Sequence, residues 1–533
     1  MSFSTVLSAA VDGLAVEFVH VETDVSNGLP VFHMVGYLSS EVKEAGERVR
    51  TAVKNTGLAF PPRRMVVNLS PATVRKRGAS FDLPIAVSVL MALGEIDPLR
   101  AEGCLIIGEL GLDGSVRKVP GVLPVVMEAK KRGILCFILP GDNAAEGALV
   151  DGVSIIGVRT LMEVVGCLRD TAPLEAIAGR QREEKERRGR KAGSGSQEAD
   201  NQSPAPDGQG AEADFSQVRG QENVRRAAEI AVSGGHNLLL IGPPGSGKSL
   251  TARCIAGILP PLTMEESMEI TKIYSVMGML DEEQPLIRHR PFREVHHTAT
   301  RAAMIGGGMV PRPGEISLAS GGILFLDELA EFRKSVLEVL RQPLENREIQ
   351  ISRTYGKYTF PADFILVAAM NPCPCGCYPD LDRCTCTPFQ IQNYLSRISQ
   401  PFLDRIDLCA EAAKVKYGDL TGGKPSESSA EIRRRVCAAR EVQKERYRGS
   451  RIRTNAMLRG AMLEKYCELG EKEKRVMEQA YEVLGLTARA YHRILRTART
   501  IADMDGEEKI REEHLCEAVG YRTVDRKYWG GRL

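Results

Sequence analysis

Leu238-Leu-Leu-Ile241 runs directly into Gly242-Pro243-Pro244-Gly245-Ser246-Gly247-Lys248-Ser249, and a helical stretch, Leu250 to Leu259, follows. Strand, glycine-rich turn and helix in that order give G-x-x-x-x-G-K-[ST] the context the pattern requires. Glycines let the backbone wrap a row of phosphates and aim N–H groups at them. The helix start adds the positive end of its dipole. Lys248 is expected to reach the β- and γ-phosphates of ATP, and the Ser249 hydroxyl to ligate Mg²⁺. All eight residues from Gly242 to Ser249 are thus candidate nucleotide contacts.

About 80 residues on, Ile323-Leu-Phe-Leu326 ends in Asp327-Glu328. A carboxylate pair at a strand end, downstream of a phosphate loop, suits two tasks. Asp327 is placed to hold the magnesium shell and Glu328 to polarise an attacking water. A third apolar run, Phe364 to Met370, ends in Asn371, whose amide can orient water near the γ-phosphate. Short continuous apolar runs separated by helical sequence predict a parallel sheet buried on both faces.

The chain has 533 residues, too many for one core, and its 43% hydrophobic and 26% charged residues are ordinary globular composition. A formal net charge of +2 gives no global case for nucleic acid, so any basic surface is local. No apolar run approaches the roughly 20 residues that span a bilayer. The start, MSFSTVLSAAVDGLAVEFVHVETD, lacks the basic region of a signal peptide, so a cytoplasmic protein with reduced cysteines and no membrane partner is expected. Arg180 to Gly210 is rich in charge, Gly, Ser and Pro, which predicts a flexible linker. The expected domains are an α/β domain over 1–172, the linker over 173–212, a nucleotide-binding core over 213–415 and a helical domain over 416–533.

Five of the thirteen cysteines lie between Cys373 and Cys386. Two C-x-C pairs, Cys373/Cys375 and Cys384/Cys386, flank a turn-like stretch and can close a tetrahedral structural zinc site. Loose reduced thiols and a redox switch are the other readings. In His296-His297, adjacent side chains on a strand point to opposite faces, so a polar loop contact to a partner subunit or pore ligand is favoured over metal.

The stretches GPPGSGKS, PGEISLASGGILFLDEL, AAMNPCPCG and PFLDRIDL together resemble the YifB/ComM-type, magnesium-chelatase-like AAA+ ATPases of bacteria. The resemblance covers nearly the whole chain. It implies a P-loop AAA+ parallel-sheet core with a helical lid, assembled as a homo-oligomeric ring, a hexamer being expected, with ATP between subunits. It puts Arg405, in Pro401-Phe-Leu-Asp-Arg405, at the position that reaches a neighbour's ATP. It also makes Arg489 the lid's sensor arginine, and it matches Cys373, Cys375, Cys384 and Cys386 while leaving Cys377 as an extra. Arg489, Arg493 and Arg496 share one helix face, for which a solvated amphipathic surface is the alternative reading.

Residues 75–89 and 108–133 resemble the proteolytic domain of Lon-type proteases. Ser80 falls near the nucleophile, but the place of the general-base lysine is apolar, near Leu123. A serine without a base is a weak nucleophile, so a Lon-like fold without protease activity is expected. Arg347 to Phe360 alternates like a hairpin, with Arg353 and Lys357 beside its turn. Basic side chains with tyrosines suit a tracked DNA strand, although an ordinary solvated hairpin has the same pattern. The expected function is a ring motor of helicase or branch-migration type on single-stranded or branched DNA. The alternative is the ATPase subunit of a chelatase-like or protein-remodelling complex.

Overall fold

The computed structural model describes residues 3–192, 213–308, 311–353, 356–414 and 426–529. The chain forms two compact units. The first comprises Met1–Pro206, Ser267–Ile287 and Val310–Arg312; the second comprises Asp207–Glu266, Arg288–Met309 and Pro313–Leu533. Residues 267–287, read from sequence as part of the nucleotide-binding core, thus belong to the first unit.

In the first unit a seven-stranded mixed sheet runs Val31–Val35, Arg64–Ser70, Ala15–Ser26, Phe3–Asp12, Cys104–Ile106, Cys136–Pro140, Ser154–Val158. The hairpin Phe3–Asp12/Ala15–Ser26 closes through Gly13, whose φ of 68° is the left-handed conformation a two-residue turn needs. Every residue of the helix Asp82–Ala92 is buried, as its all-round apolar sequence DLPIAVSVLMA requires. Its one carboxylate, Asp82, accepts from Arg48 Nε at 2.7 Å and Nη2 at 2.9 Å. A helix, Leu174–Ala192, occupies the first half of the stretch read as linker; residues 193–212 lie outside the described residues. Leu174, Ile177 and Ala178 join the core. The low apolar content that suggested a linker is rich in Glu, Arg, Lys and Gln, which are good helix formers.

In the second unit five strands, all parallel, run in the order Phe292–Val295, Ile323–Leu326, Ile365–Met370, Leu238–Ile241, Leu408–Glu411. Leu238–Ile241 comes first in the chain yet sits fourth in the sheet, between two strands that follow it. Such a switch in strand order opens a crevice at the carboxyl ends. Among the described residues five further α-helices follow: Ser429–Arg446, Gly460–Tyr466, Glu471–Leu484, Ala488–Met504 and Glu512–Trp529. One apolar cluster runs from the sheet into these helices without a break.

A polar seam also joins sheet to helices. His236, just before the strand Leu238–Ile241, is fully buried and shares a 2.8 Å hydrogen bond from Nε2 with Thr500 Oγ1. Burial pushes its pKa down to about 4; Arg496, Arg440 and Arg347 lower it further and Asp407 opposes them. Between about pH 4 and 6.5 the unfolded chain therefore holds a proton here that the folded chain does not. Stability rises with pH through that window and is lost as pH falls through it. His236→Gln, which keeps a hydrogen bond to Thr500 without titrating, is expected to flatten this part of the pH profile by up to about 3 kcal/mol, read from urea midpoints.

Candidate functional site

The carboxyl ends of three neighbouring strands converge on the loop that follows Leu238–Ile241. Gly242 is there because nothing larger fits: a Cβ would stand 2.3 Å from the carbonyl oxygen of Ala412. Gly245 and Gly247 are glycines for a different reason. Their φ angles of 75° and 83° are left-handed, and nothing lies within 4 Å of where a Cβ would be. The open space on this side of the loop is the cradle that side chains would fill. The helix Lys248–Gly257 starts at once, with its free N–H groups facing the loop.

Lys248 is 8% exposed, and its ammonium donates to Gly242 O at 2.8 Å, Pro243 O at 3.0 Å and Asn371 Oδ1 at 3.2 Å. Burial lowers its pKa and nearby Asp327 works against that. Ser249 Oγ donates to Asp327 Oδ2 at 2.6 Å. The other Asp327 oxygen accepts the Glu328 N–H at 2.8 Å. Glu328 has φ 51°, a left-handed conformation uncommon outside glycine and one that collects at functional sites. These groups line a cleft of about 380 Å³ together with Pro244, Ser246 and Met370. Ser246 Oγ is buried without a hydrogen-bond partner among the described residues. A cation, a helix start, an unpaired hydroxyl and a hydroxyl–carboxylate pair are the donor set that a magnesium-bound polyphosphate needs.

Sequence reasoning did not foresee the partner that His297 takes. Its Nδ1 lies 3.2 Å from Glu328 Oε2, so the polar loop contact expected of this histidine is made inside the chain. His296 stacks beside it with ring centroids 4.0 Å apart and bonds Thr298 Oγ1 at 2.9 Å. No local pattern announces a pairing of residues 31 positions apart in loops that follow adjacent strands.

The four expected cysteines come together. Cys373, Cys375 and Cys384 have Sγ–Sγ separations of 3.4, 3.5 and 3.8 Å, and Cys386 joins them so that all four sulfurs lie within 4.8 Å. A zinc–sulfur bond of about 2.3 Å gives a tetrahedral edge of roughly 3.8 Å, close to these spacings. Cys373 Sγ also accepts the Tyr378 N–H at 3.4 Å. Cys377 is outside the group, its thiol directed at Cys375 O at 3.7 Å.

The arginines separate. Arg405 is largely buried; it pairs with Glu345 Oε1 at 2.5 Å and donates to the carbonyls of Arg341, at 3.0 Å, and Pro401. Arg489 is exposed on the first turn of Ala488–Met504. Arg493, for which a solvated face was the alternative reading, is 4% exposed, and burial brings its pKa down to about 10. It donates to Ile406 O at 2.9 Å and Leu403 O at 3.3 Å, beside Asp407 at 3.9 Å, and so closes the end of the short helix Gln400–Leu403 that precedes Arg405. Arg496 is turned inward too, donating to Ala456 O at 2.8 Å. In the first unit, Ser80 is half-buried and Leu123 is fully buried on Val122–Lys131. The expected hairpin is present as Glu348–Arg353/Gly356–Pro361, with Arg353 and Lys357 exposed; residues 354–355 lie outside the described residues. Tyr358 is buried, which removes it from the stacking expected of the hairpin's tyrosines.

Residues 214–420 match the family described as "Magnesium chelatase, subunit ChlI", residues 21–143 match "Subunit ChlI of Mg-chelatase", and residues 426–522 match the C-terminal part of that subunit. The YifB protein of Salmonella typhimurium is 42% identical over 527 residues, 99% of this chain and 98% of its own length. Competence protein ComM of Haemophilus influenzae is 41% identical over 529 residues, again 99% and 98%. Lon protease 2 of Bacillus subtilis is 26% identical over 187 residues, 30% of this chain and 33% of its own length.

Replacing Arg493 by Ala takes a buried charge away from Leu403 O and Asp407, while Ile406 O keeps Arg522 Nη1 at 2.8 Å, and is expected to cost roughly 3 kcal/mol. Arg489→Ala, on an exposed turn, should stay within about 0.5 kcal/mol of wild type. Urea midpoints of the two variants, measured side by side, check the contrast.

Proposed function

The chain belongs to the YifB/ComM-type magnesium-chelatase-like proteins, and on that premise we propose that it is an ATP-hydrolysing AAA+ ring motor, a hexamer, that works on single-stranded or branched DNA in the cytoplasm. The observation that carries the reading is the convergence of Lys248, Ser249, Asp327, Glu328 and Asn371 in one cleft.

Each residue has a distinct task. The backbone of Gly242 to Ser249 wraps the phosphates, and Lys248 exchanges its loop carbonyls for β- and γ-phosphate oxygens. Ser249 and Asp327, already 2.6 Å apart, would hold Mg²⁺, which when bound neutralises charge on the β- and γ-oxygens. Glu328 polarises the attacking water, and Asn371 orients it from the neighbouring strand end. Arg405 is assigned to the γ-phosphate of the adjoining subunit, giving up Glu345 for it, and Arg489 to the same nucleotide from the lid. The four-cysteine centre is assigned to a structural Zn²⁺, since four protein ligands leave no open position for chemistry. The first unit is assigned a non-proteolytic, scaffolding role, because the place a general base would take carries buried Leu123.

DNA as the substrate is supported by the likeness to a competence protein and by exposed Arg353 and Lys357 on the hairpin. The match to a magnesium chelatase subunit favours a second reading, a chelatase-like or protein-remodelling ATPase.

Lys248→Ala is expected to abolish ATP turnover, while Glu328→Gln retains ATP with little hydrolysis. Wild-type turnover by Glu328→Gln would remove its assignment. DNA should stimulate the wild-type ATPase, and the DNA concentration for half-stimulation should climb steeply with salt as phosphate contacts release counterions. Rates unchanged by both single-stranded and four-way-junction DNA would favour the chelatase-like reading.

A further inference from the structure

The cysteine centre and the phosphate loop touch. Gly376, in the turn between the sulfurs of Cys375 and Cys384, has φ 78° and donates its N–H to Cys373 O at 3.0 Å. A Cβ on Gly376 would stand 2.3 Å from Cδ and 3.2 Å from Cγ of Pro244. The bare backbone of the cysteine turn is therefore packed flush on the ring of the third residue of the phosphate loop. That ring is stiff and fixes its own φ, so pressure on it moves the backbone rather than a side chain. The preceding carbonyl, Pro243 O, is one of the three acceptors of Lys248 Nζ. A second acceptor, Asn371 Oδ1, stands two residues before Cys373. The cysteine centre thus bears on the Lys248 ammonium from two directions, through Pro244 and through Asn371.

We propose that the metal-loaded four-cysteine centre is a positioning element for the phosphate loop, with Gly376 its point of contact, so that ATP affinity depends on metal occupancy. The proposal rests on the reading that the four thiols take zinc. With zinc bound, Cys373, Cys375, Cys384 and Cys386 become one rigid knot, and Gly376 is held where Pro244 needs it. With zinc removed, the sulfurs lose their common ligand, the turn relaxes, and the loop loses its outer wall. Gly376 is a positioning residue, since it reaches the phosphates only through Pro244.

The test measures zinc content and Mg-ATP affinity on the full-length chain. Wild type is expected to carry about one zinc per chain, and stripping it by chelation should weaken Mg-ATP binding on the order of tenfold to a hundredfold. Gly376→Ala should keep its zinc yet weaken Mg-ATP binding to a similar degree. Pro244→Ala combined with Gly376→Ala, which removes the clashing ring atoms, should bind more tightly than Gly376→Ala alone. Cys377→Ser, outside the centre, should match wild type in both measurements. A zinc-free wild type, freshly reduced, would overturn the metal reading itself. Zinc present, with affinity unchanged by its removal or by Gly376→Ala, would overturn the coupling alone.

Discussion

The chemistry of this chain hangs on one close approach, that of Gly242 to the backbone of Ala412. The strand Leu238–Ile241 is wedged between Ile365–Met370 and Leu408–Glu411, and its last turn leaves the sheet with no room for a side chain. The loop must therefore rise directly over the strand ends. There it meets Asn371 on one side and, one strand further, Asp327 and Glu328. Had the strand order followed the chain order, Asn371 would end a strand three places from the loop instead of one, too far to meet Lys248. Parallel pairing is thus a functional constraint as well as a way of burying apolar strands.

A second layer of constraint is electrostatic, and it sits away from the cleft. His236, Asp407 and Arg493 are buried where the sheet meets the C-terminal helices, and Arg493 closes the carbonyls on either side of Arg405. Buried charges of this kind add little net stability, but removing one partner is costly. Their arrangement ties the segment bearing Arg405 to the helix Ala488–Met504, which also carries Arg489. Arg493 thus couples the position of that helix to the segment bearing Arg405.

What could be read from the sequence was local. The phosphate loop is eight consecutive residues with a strand before it and a helix after it, so motif and context are legible together. Asp327, Glu328 and Asn371 end strands whose apolar runs mark them, and two C-x-C pairs announce their own clustering. The illegible parts are contacts made across the fold. The arginines of Ala488–Met504 have a spacing that suits a wet surface, and nothing near them in sequence reveals the carbonyls of Leu403 and Ile406 that Arg493 meets. Helix-forming charged residues in 174–192 have the composition of a linker. The touch of Gly376 on Pro244 joins two motifs, each visible alone, whose contact only the fold supplies.

Direct binding tests the proposal that the loop Gly242–Ser249 grips a magnesium-bound polyphosphate, whatever the role of DNA or the ring size. Full-length protein should be titrated calorimetrically with a non-hydrolysable ATP analogue and Mg²⁺, then with competitors. About one site per chain is expected, with dependence on Mg²⁺, competition by tripolyphosphate and weak competition by adenosine, since phosphate contacts carry the affinity. Folded protein that gives no binding, or binding that adenosine displaces and tripolyphosphate does not, would contradict it.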